Sequence, residues 1–256
     1  NLSAKVVTGA GNIDLSNTGA VNFTASSNAG SVTLADTSNI TLSGNVAGPT
    51  GVTLTTGTGA NGTLAIGNNT ISANNNTITL NADTITAGGT GAINAGASGT
   101  VIVTPTTNNA TVTVGTFVPF SNITAGTVQV GNRTTFVGDI TVGAGLTTSA
   151  NLNFYSANSG TGAFNNNGAI DAGTKTVTVD VGGSIANNAS GSVSAGSVIL
   201  TSNAGSIGSG TAFVTTTGDL SAKVITGAGN IDLSNTGAVN FTASSNAGSV
   251  TLADTS

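Results

Sequence analysis

Leu2 to Ser38 reads LSAKVVTGAGNIDLSNTGAVNFTASSNAGSVTLADTS, and the same stretch returns at Leu220 to Ser256 with Ile225 in place of Val7. The offset is 218 residues, and 36 of 37 paired positions are identical. Biased composition does not produce a self-match of that length, so the stretch marks a tandem repeat. It predicts that 1–218 is one full period of a continuous structure and that 219–256 opens the next.

Inside the repeated stretch the apolar residues come in alternating pairs: Ile13/Leu15, Val21/Phe23, Val32/Leu34 and, just beyond it, Ile40/Leu42. Each pair is flanked by Gly, Asn or Ser, which is the pattern of a short strand between turns. Ile13 to Val32 is 19 residues and Val32 to Val52 is 20, so alternate strands recur at about one turn of a coil. The spacing predicts an all-β chain, a right-handed parallel β-helix (β-solenoid) in which each rung pairs only with its neighbours. At about 20 residues per rung, 218 residues make roughly 11 rungs, stacked about 4.8 Å apart. Val52/Leu54, Leu64/Ile66, Ile71, Ile78/Leu80, Ile85, Ile93, Val101/Val103 and Val112/Val114 continue the inward set with some slippage.

Composition agrees with that reading. Hydrophobic residues make up 38% of the chain and charged residues 5%, while Thr, Asn, Gly and Ser together exceed half of it. Glu, His, Cys, Met and Trp are absent, and Lys and Arg number four, so the strong helix formers are nearly missing. Regular Val, Ile and Thr provide the β-branched surface that a disordered chain lacks. Outward Thr hydroxyls and Asn amides take the place of charge in keeping the surface wet. Asn12, Asn17, Asn28 and Asn39 fall at corners, where Asn tolerates left-handed turns and can bond to the next rung.

The segment 104–155 is the least regular. It holds Pro105 and Pro119, the single Arg133, and a run of aromatic residues: Phe117, Phe120, Phe136, Phe154 and Tyr155. Pro119 has no amide hydrogen to give a ladder, so Phe117 to Phe120 is expected to form a bulge, a loop leaving the coil, or part of a wider rung. Phe117, Phe120, Arg133 and Tyr155 are the candidate ligand or partner contacts, since sugars stack on exposed rings. The competing expectation is that Phe at strand positions is core.

Chemistry is otherwise sparse. All nine acidic residues are Asp, and no His or Cys exists to build common zinc, copper or haem sites, so neither catalytic residue, metal nor cofactor is expected. Glycoside cleavage needs two carboxylates about 5–10 Å apart. Asp14 and Asp36, 22 residues apart, are the pair that could stack one above the other, although an Asp at an exposed turn is the simpler expectation. A net charge of −5 without a basic stripe argues against nucleic acid, and no apolar run reaches the ~18–20 residues of a membrane-spanning helix. Local Thr-x-Thr runs such as Thr53/Thr55 and Thr77/Thr79 raise an ice-binding surface as a minor alternative, weakened because they are not expected to share one rung position.

The segments GNIDLSNTGAVNFTASSNAGSVTLADTSNITLSGNV (11–46), GSVILTSNAGSIGSG (196–210) and GDLSAKVITGAGNIDLSN (218–235) resemble the haemagglutinin-type exoproteins of Gram-negative bacteria, the filamentous adhesins exported by two-partner secretion. The resemblance rests on repeat texture and covers nearly the whole chain, most weakly 104–155. It implies a long secreted β-helix at the cell surface or outside the cell. Such a helix serves as fibre, biofilm matrix or adhesin stalk. Its partners would be further copies of itself, neighbouring filaments or cell-surface glycans. The near-identity of the two copies departs from the more degenerate rungs of that family and shifts the emphasis to a uniform fibre.

Overall fold

The computed structural model describes residues 1–57, 61–115, 120–188 and 190–255. Its regular elements are parallel strands and one short 3-10 helix, Phe120–Asn122, wound as a β-solenoid of about 11 turns with paired residues about 22 apart. The chain divides into two compact units, 1–107 with 116–129, and 108–115 with 130–256.

In the first unit every turn lays down two walls. One wall is undivided. It stacks Ile13–Asn17, Val32–Asp36, Val52–Thr55, Thr77–Asn81 and the end of Ala92–Thr104, with Ile13, Val32, Val52, Ile78 and Val101 in one register column and Leu15, Leu34, Leu54, Leu80 and Val103 in the next. The other wall begins as single strands, Leu2–Val6, Val21–Ser27 and Ile40–Ala47, and then divides. Ile40 pairs with Leu64 on Thr63–Gly67, while Val46 pairs with Ile71 on Thr70–Ser72. Thr84–Ala87 and the start of Ala92–Thr104 continue the two halves.

The second unit has the same plan. Asn151–Tyr155, Thr176–Val181, Ser197–Ser202, Asp219–Val224 and Asn240–Ser245 form the undivided wall, with Leu152, Val177, Val198, Leu220 and Phe241 in register. The divided wall stacks Val112–Val114, Ile140–Val142, Phe164–Asn166 and Ile185–Asn187 beside Leu146–Thr147, Ala169–Asp171, Ser192–Ser194 and Phe213–Thr216. Ile231–Thr236 spans both halves, because Ile231 bridges to Ile207 and Leu233 pairs with Phe213, and Val250–Thr255 stacks on its other edge.

Alternation explains the burial. Inward residues of each strand make an aliphatic core in which Val32, Leu34, Ile40, Leu54, Leu64, Ile78, Val101, Val177 and Leu233 are fully covered, or within 1% of it. The paired positions expected to point inward from Val52 to Val114 are buried, among them Ile71, Ile85, Ile93 and Val112. At roughly 25 cal/mol per Å2 of apolar surface, this burial is the dominant stabilising contribution.

Corners are set by short polar side chains. Asn12 Oδ1 accepts the Ser31 N–H at 3.0 Å and Asn39 Oδ1 accepts that of Thr63 at 2.8 Å, so corner Asn residues tie one rung to the backbone of the next. Asn28 reaches back through its backbone N–H to Val6 O instead. Gly30 is required where two corners touch, because a Cβ there would overlap the Gly11 carbonyl oxygen. Outward Thr residues align better than the sequence suggests: Thr33, Thr53 and Thr79 share one column, bounded by Asp14 and Ile102.

Candidate functional site

The irregular segment resolves into core and surface. Phe136 and Phe154 are fully buried, and Phe154 packs on Phe164 with ring centroids 5.0 Å apart. Phe120 is half-buried in the 3-10 turn of the first unit. Phe117 lies outside the described residues.

Arg133 and Tyr155, both in the second unit, come together. A tight turn presents the arginine: Asn132 Oδ1 accepts the N–H groups of Thr134, Thr135 and Phe136 at 3.0, 2.7 and 3.2 Å, and buried Phe136 anchors the exit. The Arg133 guanidinium carbon then lies 4.0 Å from the centroid of the Tyr155 ring. Its Nε donates to Asp180 Oδ2 at 2.9 Å, and Asp180 stands next to Tyr155 in the register of the undivided wall.

The three groups differ in exposure. The Asp180 side chain is 14% exposed and that of Arg133 is 49% exposed, while Asp180 Oδ1 is buried with no hydrogen-bond partner among the described residues. Burial pushes the Asp180 carboxyl above its ordinary value, and the Arg133 charge works against that shift. The cluster is a cation held over one ring face and pinned by a carboxylate. About half of the Arg133 side chain stays exposed, and its guanidinium covers one face of the Tyr155 ring.

The carboxylates are placed differently from the expectation for Asp14 and Asp36. Asp14 pairs with Thr33, and Asp36 pairs with Asn17, so the two acids do not stack. Asp36 is not at an exposed turn either; it is 1% exposed. Its Oδ2 accepts from Asn17 Nδ2 at 2.7 Å and its Oδ1 from the Ser38 N–H at 2.6 Å, beside a depression of about 340 Å3 lined by Ser16, Asn17, Thr18, Ala35 and Thr37. Strand alternation explains the burial, since Asp36 follows Val32 and Leu34 on the inward face.

Asp83 is a second buttress that sequence reasoning missed. It accepts the Gly62 N–H at 3.2 Å, the Thr107 N–H at 2.8 Å, and the hydroxyls of Thr106 and Thr107 at 2.9 and 3.0 Å, joining corners of neighbouring turns. Burial alone would raise its pKa, but the donated hydrogen bonds outweigh it and hold the carboxyl below 3.8. Among the described residues no three acidic side chains gather as a metal site, and no helix is long and apolar enough to cross a membrane.

Compared with known proteins, the chain matches no family model, and neither a curated protein nor a solved structure shows significant similarity to it. Fold and surface define its class as a parallel β-solenoid.

Proposed function

We propose that this chain is a stretch of an extracellular fibrous protein in which successive 218-residue repeats extend one coil of stacked rungs. It acts as fibre, matrix or adhesin stalk at the surface of a Gram-negative bacterium and is not an enzyme. The observation that carries this reading is that both copies of the repeated stretch build the same rung. Ser27 Oγ donates to Gly11 O at 2.6 Å and accepts the Gly30 N–H at 2.8 Å, and Ser245 does the same with Gly229 and Gly248 at 2.7 and 2.9 Å. A rung that carries its own corner bonds and offers a full strand edge above and below is suited to indefinite stacking. The resemblance to haemagglutinin-type exoproteins adds the secreted setting.

Partners on this reading are further copies of the repeat and neighbouring filaments, with no nucleic acid. A second reading, a surface adhesin contacting a glycan or another cell from 117–155, is favoured by the half-exposed Arg133 guanidinium. It would work through an anionic group on the partner, with Tyr155 holding the cation in place. Antibodies raised against the repeated 37-residue stretch test the main reading. Decoration of fibres on intact cells is expected; labelling only after the cells are broken open overturns it.

A further inference from the structure

Within the first unit the undivided wall is the more regular of the two. Its strands, from Ile13–Asn17 to the end of Ala92–Thr104, pair residue for residue with no shift. The divided wall shifts register between Phe23 and Ala25 and again between Thr86 and Ala87. An unshifted parallel stack sets its outward side chains in straight columns, about 4.8 Å apart from strand to strand and about 6.6 Å apart between alternate residues of one strand.

Threonine dominates those columns. Thr33, Thr53 and Thr79 fill the middle of the first, between Asp14 and Ile102. The second runs Ser16, Ala35, Thr55, Asn81 and Thr104, and Thr77 stands beside Thr100 at the start of the last two strands. These side chains are held in place. Val32, Leu34, Leu54, Ile78 and Leu80 bury the other face of the same strands, the β-branch restricts each Thr at χ1, and Asn81 Nδ2 donates to Thr55 Oγ1 at 3.0 Å.

The chemistry of this face selects its partner. An acidic polymer would need cations and a neutral glycan a ring to stack on, and the two columns contain neither; their one charge is Asp14 at an end. Each Thr offers water a hydroxyl that donates and accepts, with a methyl beside it. Water lying between columns is therefore bonded at regular points and confined between them. Both column spacings are close to the repeat distances of water oxygens in planes of ice. We infer that the undivided wall of the first unit binds ice. Each hydroxyl contributes little, and the array binds because many water contacts form at once on side chains already fixed by the core behind them. The inference concerns this face alone and holds whether or not the chain extends into a fibre.

Slow growth of ice in a solution of the full chain tests it, with the fraction of protein taken into the ice measured and the crystal shape recorded. The chain is expected to concentrate in the ice and to facet the crystals. Thr53→Lys, in the middle of the face, is expected to lose most of that uptake, while Thr86→Lys, at an exposed position of the divided wall, leaves it unchanged. Circular dichroism checks that each variant is folded, and Thr79→Lys takes the place of Thr53→Lys if that variant unfolds. Exclusion of the native chain from ice as an ordinary solute, equal uptake of the native and Thr53→Lys chains, or an equal loss from Thr86→Lys overturns the inference. Retention on crystalline cellulose without entry into ice overturns it as well.

Discussion

Phe23 and Leu42 stand in register on adjacent strands, and both are buried, Phe23 fully. Leu2 holds the corresponding place on the other side of Phe23. Burial in this protein is therefore conferred by the neighbouring turns as much as by the residue's own strand.

The first prediction follows from that pair. Phe23→Ala removes a ring held on both sides and is expected to cost about 3–5 kcal/mol in the first unit. Thr41→Ala, at an outward position of the neighbouring strand, is expected to cost well under half as much. Denaturant unfolding read alongside hydrogen exchange of the first unit checks the contrast; equal losses would show that inward stacking does not control stability.

Asp83 predicts a pH dependence in the first unit. Its folded pKa lies below the unfolded 3.8, so its contribution is present above that value and is lost as pH falls through the lower folded value. Asp83→Asn is expected to cost on the order of 1 kcal/mol at neutral pH, a modest figure because solvent screens this half-buried group, and to flatten the acid limb of the stability curve. Unfolding midpoints between pH 2 and 7 measure it.

The Arg133 clasp predicts the opposite sign. Asp180 has a raised folded pKa, so stability is lost as pH rises from 3.8 through that value. Arg133→Ala raises it further and is expected to cost the second unit about 1–2 kcal/mol at neutral pH, a loss that fades in acid where Asp180 is protonated in both states. Asp180→Asn in the Arg133→Ala background is expected to restore most of the stability; failure of that rescue would place the effect in Tyr155 packing.

A buried amide pair gives a double-mutant cycle. Asn166 Nδ2 donates to Asn187 Oδ1 at 3.1 Å and to Ser192 O at 3.2 Å, Asn187 Nδ2 donates to Gly191 O at 2.9 Å, and Asn166 Oδ1 has no partner among the described residues. Asn166→Leu and Asn187→Leu are each expected to cost about 1–3 kcal/mol, and the double variant less than the sum of the two, because the bond they share is lost only once. Additive losses would mean the amides do not act as a pair.

The rungs were legible because Ile13, Val32 and Val52 keep near-constant spacing, and period-two alternation then assigns the apolar residues that follow them inward. Farther along, paired residues such as Val52 and Ile78 stand 26 apart, and that slippage hid the shared Thr column and the partner of Asp180. Asp36 could have been read correctly from its place after Val32 and Leu34; turn preference for Asp outweighed the alternation. Arg133 and Tyr155 are 22 residues apart, one turn of the coil, so a search at that spacing finds the pair.

The most direct test is electron cryo-microscopy of the native protein with the axial spacings read from its layer lines. Stacked rungs predict a strand spacing near 4.8 Å, and about ten turns per 218 residues predict a longer period of about 45–50 Å along the fibre. Discrete globular particles, or fibres lacking the 4.8 Å spacing along their axis, would contradict the account.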